Sequence, residues 1–75
     1  MSDTVLDTRG LKCPLPVLRA RKAMQSVAAG GVLRVLATDP GTVRDFEAFC
    51  AATGYELVDH DEQDGEFTFR IRKDR

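Results

Sequence analysis

The sequence predicts an α+β two-layer sandwich with element order β-α-β-α-β-β, in which a four-stranded mixed sheet carries two helices on one face. Three observations support this. Residues Val32 to Ala37 form a nearly continuous apolar run suited to a strand buried on much of both faces. Segments with helical spacing of apolar residues flank that run. The C-terminal third alternates apolar and polar residues around an Asp-Gly pair, a strong hairpin signal.

At 75 residues the chain is expected to form one domain, 1–75. Val5-Leu6 with Thr4 and Thr8 reads as a short first strand, ended by Arg9-Gly10. From 16 to about 28, Val17, Ala20, Met24 and Val27 recur at helical spacing, and Gly30-Gly31 stops that helix. After the central strand, Asp39-Pro40-Gly41-Thr42 is turn chemistry, and Thr42 with Asp45 three residues later resembles a capping box. Val43, Phe46 and Cys50 share one face of the second helix, with Gly54 placed as its C-terminal stop. Residues 55–59 and 67–72 read as the hairpin strands, joined through Gln63-Asp64-Gly65. Phe67, Phe69 and Ile71 should face the helices, while Thr68, Arg70 and Arg72 meet water.

Function classes narrow quickly. A domain this small has little room for a deep pocket with converging catalytic groups, so chemistry is expected at an exposed residue offered to another protein. No run approaches the roughly 18 apolar residues of a membrane helix, and no signal segment is visible, so a cytoplasmic protein without membrane association is expected. Two cysteines far apart fit a reducing compartment rather than a disulfide scaffold, and one histidine adds too little for a closed zinc site; no metal is expected. A net charge of −1 hides an asymmetry. Residues 1–38 hold six Lys/Arg against two Asp/Glu, and residues 39–75 hold five against ten.

Cys13 draws the chemistry to one place. It stands in Leu11-Lys12-Cys13-Pro14-Leu15-Pro16, where an extended segment should turn into a helix. Pro14 keeps Cys13 out of the helical region, and Pro16 suits the first helical position, so the helix should start there with the thiol just ahead of it. The nucleophile is the thiolate, and helix ends and cations lower a cysteine pKa. Arg9, Lys12 and Arg19 are candidates for the thiolate environment, although both prolines remove amide donors, so a modest depression is expected. Cys50 falls on the apolar face of the second helix and reads as core. His60 lies in the acidic hairpin, away from the thiol, which argues against a cysteine–histidine pair. What remains is chemistry that needs only an exposed thiolate: thiol exchange, persulfide transfer or oxidation sensing.

Residues 13–16 are Cys-Pro-Leu-Pro, and nearly the whole chain around them resembles the TusA/SirA-like family of sulfur carriers. The likeness extends to Leu6-Asp7, Gly10-Leu11, Asp39-Pro40, Arg44-Asp45, Phe49-Cys50 and Ile71-Arg72-Lys73. It implies strand order 1-2-4-3 and a sulfane sulfur held as a persulfide on Cys13, with Pro14 and Pro16 presenting it and no cofactor beyond that sulfur. It also implies a donor such as a cysteine desulfurase or rhodanese-like protein, and an acceptor protein in a sulfur relay. Arg9, Lys12, Arg19 and Asp45 are the candidate thiol-environment or partner-contact residues. Leu15 stands between the prolines, where an acidic residue is expected in the tRNA-thiolation members. The family serves tRNA thiolation, molybdenum-cofactor assembly or sulfur oxidation. A monomer is expected.

Two other readings compete. A regulatory or nucleic-acid-binding module is suggested by the basic first half, but the overall acidic balance and few aromatics oppose it, and no direct nucleic-acid contact is expected. A Cys13–Cys50 disulfide is opposed by the expected burial of Cys50.

Overall fold

The computed structural model describes residues 4–73. Its elements run β1 (Thr4–Asp7), α1 (Leu15–Met24), β2 (Val32–Ala37), α2 (Thr42–Thr53), β3 (Glu56–Gln63) and β4 (Glu66–Arg72), with sheet order β1-β2-β4-β3. β1 and β2 are parallel, and the β2–β4 and β3–β4 pairs are antiparallel, as expected for one β-α-β crossover followed by a hairpin.

β2 is the centre of the molecule. Leu33, Val35 and Ala37 point to the helices and are fully buried, beside Phe67, Phe69 and Ile71 of β4. α1 covers this face with Pro16, Ala20 and Met24, one helical turn apart, and α2 with Thr42, Phe46, Phe49 and Cys50. The Phe46 and Phe69 rings lie 4.5 Å apart between centroids, and Phe49 meets Phe46 edge-on.

Several boundaries differ from the expected ones for local reasons. α1 begins at Leu15 rather than Pro16, with Pro14 at the cap position, and ends at Met24 rather than near residue 28. Beyond it, the N–H groups of Gln25, Ser26 and Val27 bond three residues back, so the helix tightens into turns that still carry Val27 into the core. The Nζ of Lys73 reaches across to the carbonyl of Met24 at 3.0 Å, satisfying a group at the helix end. Thr8 lies outside β1, but its N–H and hydroxyl both donate to the carbonyl of Leu36, which ties the β1 exit to β2. The capping box is absent. Thr42 is buried and its hydroxyl donates to the carbonyl of Asp39, while the cap position is Gly41, with no side-chain cap bond.

β3 runs past Asp59 to Gln63, with a bulge between Leu57 and Asp59. The turn has both central residues at positive φ, Asp64 at 52° and Gly65 at 80°, the geometry of a two-residue hairpin whose twist matches its strands. Gly54 caps α2 in the left-handed region at φ 84°.

Because Phe46 joins α2 to β4 through its ring contacts, Phe46→Ala should cost about 3–5 kcal/mol. Urea unfolding followed by circular dichroism should show the midpoint fall sharply with the slope retained.

Candidate functional site at Cys13

The loop from Gly10 to Pro14 is held by backbone bonds at both ends. The N–H of Leu15 donates to the carbonyl of Lys12 at 2.8 Å, closing a turn with Cys13 and Pro14 at its corners. The Cys13–Pro14 peptide is cis. Gly10, at φ 84°, turns the chain out of β1 and donates its N–H to the Thr38 hydroxyl. Cys13 is therefore exposed at the edge of the helical layer, immediately before α1.

Two carboxylates approach it from across the β2–α2 connection. Asp39 accepts the N–H of Cys13 on Oδ2 at 2.7 Å and the N–H of Gly41 on Oδ1 at 2.9 Å. The second is the local bond of an Asx turn; the first joins the thiol loop to the α2 start. Asp45, in the first turn of α2, accepts a hydrogen bond from the Cys13 Sγ on Oδ2. Pro40, Gly41, Val43, Arg44, Asp45 and Glu47 line an open depression with the sulfur.

This arrangement reverses the expected electrostatics of the thiol. Its pKa is raised, first by the hydrogen bond to Asp45, then by desolvation and by the charges of Asp45 and Asp39. The cations near Cys13 in sequence are directed elsewhere. Arg9 forms a two-point pair with Asp7, at 2.9 Å on both nitrogens, and approaches Glu66 at 3.7 Å. Lys12 acts on Asp39 and helps to lower its pKa, after the two amide bonds that dominate that shift. Arg19 borders a separate hollow on α1 with Leu6, Leu18, Lys22 and Ala23. Of the candidate environment residues, Asp45 alone has a hydrogen bond to the sulfur.

Cys50 is buried on α2, and burial pushes its thiol pKa up. His60 lies on β3 with its ring 6.0 Å from that of Phe69. Among the described residues no group of three or more His, Cys, Asp or Glu side chains could hold a metal ion, and no helix is long and apolar enough to cross a membrane.

A small sandwich that projects one exposed thiol from a hydrogen-bonded turn at a helix start, into an open depression, defines a presenter of a single thiol. The comparisons give that class its family. The profile of the family described as Sulfurtransferase TusA matches residues 4–73, and the chain belongs to this family. A candidate sulfur carrier protein of Neisseria meningitidis serogroup A is 56% identical over 72 residues, covering 96% of this chain and 97% of that one. The sulfur carrier protein TusA of Allochromatium vinosum is 52% identical over 71 residues, covering 95% and 93%. The crystal structure of a SirA-like protein from Desulfitobacterium hafniense superposes with a TM-score of 0.80 at 31% identity, covering 91% of this chain and 93% of that one.

Two outcomes follow from the site. A Cβ on Gly41 would sit 3.7 Å from the Cys13 Cβ and 3.9 Å from its Sγ, in ordinary contact, and Gly41 has φ −68°. Gly41→Ala should therefore leave the unfolding midpoint nearly unchanged while slowing alkylation of Cys13 by iodoacetamide, because the added methyl shields one side of the sulfur.

The second concerns acid. Asp7 falls from 3.8 to about 2 in the folded protein, through its bonds with Arg9, and Asp39 is lowered by the Cys13 and Gly41 amides. Depressed carboxylates stabilise the fold above their unfolded pKa, and that contribution is lost as pH falls through the folded value. Wild type should lose more stability than an Asp7→Asn/Asp39→Asn variant between pH 4 and about pH 2, measured by thermal unfolding across that range.

Proposed function

We propose that the chain is a sulfur carrier: Cys13 accepts a sulfane sulfur as a persulfide and passes it to an acceptor protein in a sulfur relay. The observation that carries this reading is the exposed thiol of a Cys-Pro-Leu-Pro turn in a chain of the TusA family. In loading, the Cys13 thiolate attacks the outer sulfur of a donor's persulfide. A new S–S bond forms to Cys13, the donor's S–S bond breaks, and the donor cysteine leaves as a thiolate. Unloading repeats the exchange with the acceptor's thiolate as nucleophile. No electrons are gained or lost overall and no cofactor enters.

The donor class is a cysteine desulfurase or a rhodanese-like protein, and the relay operates in the cytoplasm, where thiols remain reduced. The label of carrier fits better than that of a free-standing enzyme. The open depression at Cys13 has no general base besides carboxylates, so the partner's site must supply the rest of the chemistry. Rigid presentation serves this role, because a turn closed by the Lys12–Leu15 bond and anchored by Asp39 loses little freedom on docking. Leu15, two residues after the thiol, and Leu18, one helical turn further along α1, are each about half exposed and offer apolar contact area for such a partner.

Incubation with a sulfur donor, followed by intact mass before and after reductant, tests the assignment. Wild type and Cys50→Ala should gain one sulfur atom that reductant removes, and Cys13→Ser should gain none. Sulfur on Cys13→Ser would overturn the reading.

A further inference from the structure

The sulfur at the centre of the proposed relay is held by an acid. Asp45 Oδ2 accepts the Cys13 thiol hydrogen, and Asp39 accepts the amide of the same residue, so two carboxylates face Cys13 from the β2–α2 connection and from the first turn of α2. Asp39 is engaged by the N–H groups of Cys13 and Gly41 and lies within the field of Lys12. Among the described residues, the donor to the Asp45 carboxylate is the Cys13 thiol rather than a pair of amides. Arg44 and Glu47, also on α2, line the same depression with opposite charges. Arg9 is held by Asp7 and Glu66. A carboxylate hydrogen-bonded to a thiol stabilises the protonated form and opposes the anion that must attack.

We infer that Asp45 is a latch on the carrier thiol, keeping Cys13 neutral until a protein partner that presents a Lys or Arg side chain beside its own transferred sulfur pairs with Asp45 and frees the thiol. This rests on the reading of Cys13 as the sulfur-bearing residue. When the cation takes Asp45, the thiol proton leaves to water. The Cys13 thiolate then attacks the partner's outer sulfur, and the partner's departing thiolate takes up a proton. Atoms and charge balance, and neither cysteine changes its net oxidation level beyond the exchange of one sulfane sulfur. The rim selects by charge as well: an anionic group at the sulfur meets Asp45 and Asp39, whereas a cationic one finds a partner. Asp45 is a positioning residue in this scheme, acting through the state of Cys13.

The test needs no sulfur donor, so its result is separable from the loading experiment. The rate of Cys13 alkylation by iodoacetamide, located by peptide mapping, is followed against pH in wild type, Asp45→Asn and Asp45→Ser. Both variants should react at neutral pH about tenfold faster than wild type, with the whole profile moved to lower pH, as expected when one adjacent carboxylate is neutralised. A trimethylammonium-bearing methanethiosulfonate should outpace a sulfonate-bearing one on wild type, by a ratio that shrinks with added salt and in both variants. Profiles that overlay wild type, or a reagent ratio unaffected by the substitutions and by salt, would overturn the latch. The salt series on wild type keeps the test decisive if a variant fails to fold. If Cys13 proves unable to accept sulfur while the ratio and profiles move as stated, the carrier reading fails and the thiol–Asp45 coupling stands.

Discussion

Asp39 joins the two halves of the site with one side chain. One carboxylate oxygen receives the amide of Cys13 and the other receives the amide of Gly41, two residues along its own chain. The thiol loop follows β1 and the α2 start follows β2, and this bridge joins them nearer the sulfur than the Gly10–Thr38 bond and the parallel pairing of their parent strands do. With it, Cys13 is brought to α2, where Asp45 can reach the sulfur. Thr8 serves the same junction from below, fastening the β1 exit to Leu36 through backbone and side chain. The geometry of the sulfur is thus set by the sheet, through loops too short to adopt many alternatives.

The architecture was legible because its signals were local and mutually consistent. An unbroken apolar run marked β2, Asp64-Gly65 marked a hairpin that forms with both residues at positive φ, and Gly54 marked a helix end that forms in the left-handed region. The misjudged boundaries belong to places where tertiary contacts decide. At the end of α1, the chain tightens into three-residue turns and Lys73, 49 residues away, donates to the Met24 carbonyl. The capping box failed because the Thr42 hydroxyl turns back to Asp39 and the Asp45 carboxylate turns to Cys13.

The exposed place of Cys13 ahead of α1 was legible from the two prolines and the helix start, but its electrostatics were not. Neighbours in sequence supplied cations; neighbours in space supply carboxylates. Asp39 and Asp45 lie 26 and 32 residues from Cys13, and no spacing rule links them to it. Arg9 illustrates the converse, since its proximity in sequence counts for little once Asp7, two residues earlier, holds the guanidinium by two bonds. Short-range charge counting fails wherever oppositely charged residues close enough to pair take each other first.

A raised thiol pKa has opposite effects on the two halves of a sulfur exchange. Once deprotonated, a more basic thiolate is the stronger nucleophile, whereas the same sulfur is the poorer leaving group when the persulfide is attacked. In the proposed relay, Cys13 with its pKa lifted by Asp45 is reluctant to surrender sulfur spontaneously to a passing thiol, and its own attack on a donor waits until a partner neutralises Asp45. A carrier benefits from that imbalance, because sulfur lost in transit is of no use to the acceptor. Release then depends on the acceptor's surroundings stabilising the departing thiolate, and a cation placed at Asp45 would do so by removing the charge that made Cys13 a poor leaving group. In the proposed relay one carboxylate, reached by way of Asp39, would serve both retention of the sulfur and its release at a matching surface.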